Sequence, residues 1–256
     1  MYHFKEEWNR RGHFWFDKKL IENKNWAILS KASKSVFPVI ASHRNEKGEA
    51  FPGEQAIAIL SGLSDKTVRQ GIRGLEDFPG IEIQNYVTKR GRRSKRYKID
   101  KPPEVQGRSF PFYRGVFEGG NWLHLIPSAQ ALYPVMRYFG YFDSVVCEIY
   151  LYEEDAGGYD LHDFDAVYKD RKWDFCIAEL DILAEYAGIS KRSVYDALRS
   201  LGDNHLIENY SDEDLVGWKV FLLPTTIYNR DYLNEKTRDK YRHLNARLGK
   251  KLPVMA

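Results

Sequence analysis

Eight consecutive positions, Lys89-Arg90-Gly91-Arg92-Arg93-Ser94-Lys95-Arg96, carry six cationic side chains and no acid. Like charges crowded into one segment repel each other, and a bound polyanion removes that cost while releasing its own counterions. Upstream, Lys66, Thr67, Arg69, Gln70 and Arg73 are interleaved with Val68, Ile72 and Leu75. The apolar spacings of four and three make one helix face, which leaves the polar set on the other. Arg suits guanine O6/N7 and Gln suits adenine N6/N7. Lys66 and Thr67 fall in the first turn, where backbone N–H groups and hydroxyls grip phosphate. The chemistry on offer is phosphate neutralisation plus reading of base edges. The plainer reading of the same residues is a solvated helix face and a soluble loop.

The elements that must hold these residues occur twice. Ile57 to Leu75 reappears without a gap as Leu183 to Leu201, 126 residues on. Both copies keep a turn glycine, Gly62 or Gly188, followed by a serine N-cap, Ser64 or Ser190. Glycine adopts positive φ cheaply and serine caps a helix start. Each copy reads as helix, tight turn and second helix, which is helix-turn-helix grammar. Earlier, Asn25-Trp26, Leu29 and Val36-Phe37-Pro38-Val39-Ile40 match Asn121-Trp122, Leu125 and Leu132-Tyr133-Pro134-Val135-Met136 at a spacing of 96. Later, Ile83-Gln84-Asn85-Tyr86 matches Ile207-Glu208-Asn209-Tyr210 at a spacing of 124. The step from 96 to 126 places a 30-residue insertion within about 141–174 of the second copy. Pro38 and Pro134 are expected to kink or end their helices. Hairpins are predicted at about 81–87 with 95–100 and at about 206–210 with 218–223.

Three helices and a two-stranded wing make a winged helix. On Phe51-Pro52, Ile57-Ala58, Gly62-Leu63-Ser64, Thr67-Val68, Ile72, Leu75 and Ile81 the first copy resembles the winged helix-turn-helix domains of phage and plasmid replication proteins and of many bacterial regulators. The second copy lacks the Phe-Pro opening but keeps Ala184, Gly188-Ile189-Ser190, Ser193-Val194 and Leu198. Tandem winged helices in one chain are similar to plasmid replication initiators. The resemblance implies an α+β fold, mainly α, with two winged helix-turn-helix domains and extra N- and C-terminal helices. Prolines, glycines, aromatics and charge along the chain give the expected units: 1–100, with an N-terminal helix or arm around Trp8 and Phe14 to Phe16; a linker at 101–120, whose aromatic stretch Phe110-Pro111-Phe112-Tyr113 is expected to pack against a domain; 121–228, with the acidic insertion; and a basic helix or tail at 229–256.

The two units differ in charge. Residues 1–101 carry a net +9, residues 102–230 a net −10 and residues 231–256 a net +4. Such asymmetry directs a polyanion to the first unit. The second recognition helix offers Lys191, Arg192, Tyr195, Asp196 and Arg199, yet its wing tip is Ser211-Asp212-Glu213-Asp214. This unit either docks on DNA through its helix or serves a protein: a second copy of the chain or a replication partner. Gly71 and Gly74 each cost the first recognition helix roughly 1 kcal/mol, which a close approach to DNA or to the preceding helix would offset.

Other chemistries find little support. His162-Asp163-Phe164-Asp165 in the insertion reads as a solvated acidic loop, with no flanking metal-ligand motif. No Walker-type phosphate loop, Gly-x-Ser-x-Gly or His-Glu-x-x-His is present. The expectation is therefore no enzyme, no cofactor and no metal. Cys147 and Cys176 form no framework and read as buried apolar groups. With 43% hydrophobic and 29% charged residues, no signal-like start and no long apolar run, the expected setting is the cytoplasm, without a membrane partner. The expected partner is double-stranded DNA. The favoured role is replication initiation for a plasmid or other mobile element. A transcriptional regulator and a DNA-anchored adaptor that recruits a replication protein are the alternatives.

Overall fold

The computed structural model describes residues 12–87, 91, 93–100, 109–140, 173–211 and 216–225. The first half runs β1 (His13–Asp17), α1 (Lys19–Glu22), α2 (Asn25–Ile28), α3 (Lys31–Ser42), β2 (Glu49–Ala50), α4 (Glu54–Ser61), α5 (Asp65–Arg73), β3 (Ile81–Val87) and β4 (Arg93–Ile99). The second half repeats that order with β5 (Ser109–Tyr113), α6 (Gly115–Glu118), α7 (Asn121–His124), α8 (Pro127–Phe139), β6 (Trp173–Cys176), α9 (Leu180–Ala187), α10 (Lys191–Asp203), β7 (Ile207–Ser211) and β8 (Val216–Phe221). Helix and strand are thus mixed throughout.

Several expectations need correction. The hairpins at 81–99 and 207–221 each gain a third strand, giving sheet orders β2-β4-β3 and β6-β8-β7. A two-residue strand such as Glu49–Ala50 is too short to show alternation, and Trp173–Cys176 is buried at all four positions. Phe14 to Phe16 lie in a strand and not in a helix, and the expected linker contains β5 and α6. Pro38 and Pro134 do not end their helices: α3 and α8 continue past them to Ser42 and Phe139. The wing strands begin at Ile81 and Ile207, so the 126-residue spacing holds there as well, in place of 124. Cys176 is buried as expected, and burial pushes its thiol pKa up to about 12. Cys147, Trp8, residues 141–172 of the insertion and the 229–256 tail lie outside the described residues.

The two halves are joined face to face, and the joining contacts are reciprocal. β1 and β5 pair antiparallel about a centre at Trp15↔Pro111, so that His13↔Tyr113 is answered by Asp17↔Ser109. Phe14 stacks on Phe112 and Phe16 on Phe110, both at 13° between planes, with centroids 5.2 and 5.0 Å apart. The Trp26 indole donates to the Ala131 carbonyl at 2.9 Å, and the Trp122 indole donates to the Ser35 carbonyl at 3.2 Å. The tryptophans are 96 residues apart, as are their acceptors. Lys34 Nζ donates to the Ala187 carbonyl at the end of α9, and Gln130 Nε2, 96 residues on, donates to the Ser61 carbonyl at the end of α4. Contacts in which i meets j and the equivalent of j meets the equivalent of i mark a two-fold, isologous interface. The chain is therefore built around an internal approximate two-fold axis, with one continuous apolar core drawn from both halves.

Two sites expose this interface to test. Gly188 has φ +61°, and a Cβ there would strike the Ala27 carbonyl; Gly62 has φ +72°, and a Cβ there would strike the Leu123 carbonyl. Each glycine combines a left-handed backbone with close approach to the opposite half. Gly188→Ala is expected to cost at least about 1–3 kcal/mol and to lower the stability of both halves in a single transition, measured by urea unfolding. Lys34 is fully buried, and desolvation, assisted by Lys31, lowers its pKa from 10.5 to about 8. The unfolded chain then holds more protons between those values, so Lys34 should make stability rise as pH climbs from about 8 to 10.5. The wild-type chain should show this rise in excess of Lys34→Gln, because glutamine keeps an amide donor, as at Gln130, without a titrating group.

Candidate nucleic-acid interface

α5 is seated by its own sequence. The Ser64 hydroxyl accepts from the Thr67 backbone N–H at 3.3 Å and lies 2.8 Å from the Thr67 hydroxyl. Val68, Ile72 and Leu75 have no solvent exposure. Gly71 packs against α3: a Cβ there would lie 2.8 Å from the Ala32 carbonyl oxygen and 3.1 Å from Val36 Cγ2. Ser33 completes the seam, its hydroxyl donating to the Gly71 carbonyl at 3.0 Å. The close approach expected for Gly71 and Gly74 is therefore made to α3, and neither DNA nor α4 is its reason.

With that face spent, Lys66, Arg69, Gln70 and Arg73 are exposed together on the other, and Thr67 is half-buried at the cap. Arg69 is partly engaged: its Nη1 lies 3.6 Å from Glu54 Oε2 on α4, with both side chains partly exposed. The β3–β4 hairpin follows this helix in the chain. Arg93 pairs with Val87 next to the tip, Lys95 with Asn85 and Arg96 with Gln84. Lys95 is half-buried. Arg96 is engaged within the sheet, donating from Nε to Gln84 Oε1 at 3.0 Å and lying 3.3 Å from Glu49 Oε1. Lys89, Arg90 and Arg92 lie outside the described residues. Phe51 is 46% exposed and meets Tyr86 edge-on at 6.1 Å, forming an aromatic step between the start of α4 and the wing.

The second half repeats the seat and changes the face. Ser190 caps α10 through the Ser193 N–H at 3.2 Å. Val194, Ala197 and Leu201 are fully buried, so Ala197 takes an inner place and Leu198, expected in the stripe, is only partly covered. Lys191 forms a hydrogen-bonded ion pair with Asp181, which raises its pKa. Arg192 and Arg199 are exposed. Where α5 carries Arg69, α10 carries Tyr195, 56% exposed. An open cleft of about 450 Å³ lies between α10 and the β7–β8 sheet, lined by Tyr195, Leu198, Arg199, Asn209 and Trp218. The acidic residues at 212–214 lie outside the described residues. Among the described residues no group of three His, Cys, Asp or Glu is placed to hold a metal ion, and no helix is long and apolar enough to cross a membrane.

Sequence reasoning missed the residues that align these two faces. The aromatic segments Phe14 to Phe16 and Phe110 to Tyr113 were expected to pack, but not as strands paired with each other, and the buried ion pair of Arg137 with Asp174 (2.6 Å) has no signal in the sequence. Arg137 also donates to the Pro111 carbonyl at 3.0 Å, which ties α8 to β5 and β6. A signal for the strands exists: Phe14 and Phe110, and likewise Phe16 and Phe112, keep the same 96-residue spacing as the tryptophans.

The Arg69–Glu54 pair yields a prediction. Exposed ion pairs contribute up to about 1 kcal/mol, and a polyanion must compete with Glu54 for Arg69. Glu54→Gln should strengthen binding to duplex DNA by up to about fivefold, read by fluorescence anisotropy. Unchanged or weaker binding would mean that Arg69 does not contact the duplex.

A family model described as a helix-turn-helix domain matches residues 28–78, which span α2 Ile28 through α5 and the turn after it. No curated protein and no solved structure gives a match.

Proposed function

We propose that the chain is a double-stranded DNA-binding protein in which two winged-helix units are fused in tandem, the first carrying the principal DNA contacts. One observation carries this reading: α5 buries a complete apolar stripe and turns Lys66, Arg69, Gln70 and Arg73 outward together. Helix-turn-helix docking places such a face in the major groove. The helix-turn-helix match over 28–78 supports it. Gln70 and the arginines read bases, Lys66 and Thr67 hold phosphate, and the wing, with Lys89, Arg90, Arg92, Arg93 and Lys95, tracks the backbone. Arg96 contributes mainly by stiffening the wing.

The proposed role is replication initiation for a plasmid or other mobile element, supported by the resemblance and the two-unit design. Regulation of transcription is the second reading, and the internal two-fold favours it, because inverted sites are what two-fold regulators meet. The location of the site selected from genomic DNA, at an origin or at a promoter, separates the two.

The binding proposal makes paired predictions. Replacing Arg90, Arg92 and Arg93 by Ala should weaken binding to all sequences and reduce the slope of log K against log salt by about 0.9 for each phosphate that is no longer neutralised. An unchanged slope would remove the wing from the interface. Gln70→Ala should instead lose about 1–3 kcal/mol of discrimination at one base position, read by binding to a panel of single-base variants. A uniform loss across the panel would make Gln70 a phosphate ligand.

A further inference from the structure

α10 ends in a glycine that its own helix does not require. Gly202 lies in the last turn without a positive φ, and the left-handed position beyond the helix is taken by His205 at φ +57°. Gly71 packs on α3, but a Cβ at Gly202 would meet nothing within 4 Å among the described residues. Glycine disfavours a helix more than any residue except proline. What it provides here is room, in the open cleft of about 450 Å³ between α10 and the β7–β8 sheet that Gly202 lines. The first half uses the equivalent positions differently. Glu54 and Arg69 form an ion pair where the second half has Leu180 and Tyr195. Ile72 and Tyr97 are fully buried, whereas their counterparts Leu198 and Trp218 are half-buried. Strand register makes the last match: Ile83 faces Tyr97 as Asn209 faces Trp218.

We propose that this cleft binds a small, uncharged, planar aromatic molecule. Its volume falls within the roughly 300–1,000 Å³ of small-ligand sites. Tyr195 and Trp218 offer ring surfaces, and Leu180 and Leu198 offer aliphatic contact. Stacked or edge-on rings add to the gain from apolar burial. Arg199 and Asp203, one turn apart on α10, are the two charged residues of the lining, and their charges oppose each other. The lining therefore carries no net charge to match an ion, and the net −10 of residues 102–230 disfavours an anion further. The Asn209 amide supplies a donor and an acceptor for one polar edge of the ligand. Bare backbone at Gly202 lets a ring approach α10 closely. This site belongs to α10 and β8 and stands apart from the DNA-binding reading of α5.

The test titrates the full chain with N-phenyl-1-naphthylamine, an uncharged aromatic amine that fluoresces in apolar surroundings. Its anionic counterpart, 8-anilinonaphthalene-1-sulfonate, keeps the same ring frame and adds a charge. Saturable binding of the amine at one site per chain is expected, with the sulfonate about fivefold weaker or more. Gly202→Phe should fill the cleft and weaken the amine by about tenfold or more, with the circular dichroism spectrum retained. Tyr195→Ala, at an exposed side chain, should weaken it by about 2- to 10-fold. Unchanged affinity in either folded variant overturns the site. A sulfonate that binds as tightly as the amine overturns the uncharged class, and no saturable binding overturns both. None of these outcomes depends on whether the chain binds duplex DNA.

Discussion

Two indole N–H groups, each satisfied by a backbone carbonyl of the opposite half, sit at the crossing of α3 and α8. Trp26 and Trp122 are both fully buried, so a donor without its acceptor would cost about 1–3 kcal/mol. The acceptors, Ala131 and Ser35, lie in the middle of the two long helices, which fixes how those helices cross. Lys34 and Gln130 extend the constraint outward, tying α3 to the end of α9 and α8 to the end of α4. The helix before each of α5 and α10 is thereby anchored to the other half of the chain. Gly62 and Gly188, the turn glycines, are where that anchoring leaves no room for a side chain.

From this constraint follows a division between scaffold and face. Positions that seat the helices are held nearly alike in the two halves: the exposed caps Ser64 and Ser190, and the buried pairs Val68 and Val194, Leu75 and Leu201. Positions pointing outward are free to diverge, and they have. Arg69 becomes Tyr195 and Gln70 becomes Asp196, while Arg73 remains arginine as Arg199. The core sets where the two faces sit, and the surface residues set what each face can bind. Burial of Lys34 where the partner half uses Gln130 shows that even the joint tolerates change, provided two donors remain for two carbonyls.

Much of this was legible in the sequence because it repeats. The turn glycines, cap serines and apolar stripes located α4, α5, α9 and α10 to within a residue or two, and the wing hairpins followed from alternation. What escaped was non-local. β1 and β5 are short aromatic strands that pair with each other and with nothing near in sequence, so they read as a docked arm and as a packed stretch within a linker, without their partner. Glu49–Ala50 is too short for any period, and Trp173–Cys176 is buried throughout. Pro38 and Pro134 do not end α3 and α8, because the packed context of those helices outweighs one missing backbone hydrogen bond. Of the candidate site, the exposure of Lys66, Arg69, Gln70 and Arg73 on α5 was legible, while the packing of Gly71 and Gly74 on α3 was not. Arg96 and Lys191 carry the right charge for phosphate, but Gln84 and Glu49 hold the first and Asp181 the second, partners that only the fold brings near.

The central claim is that the outward face of α5, seated on the two-fold core, binds duplex DNA. Hydroxyl-radical footprinting of the full chain on its selected duplex tests it most directly. The account predicts a protected stretch that is lost when Lys66, Arg69, Gln70 and Arg73 are all replaced by Ala. The same protection with the replaced chain would contradict it.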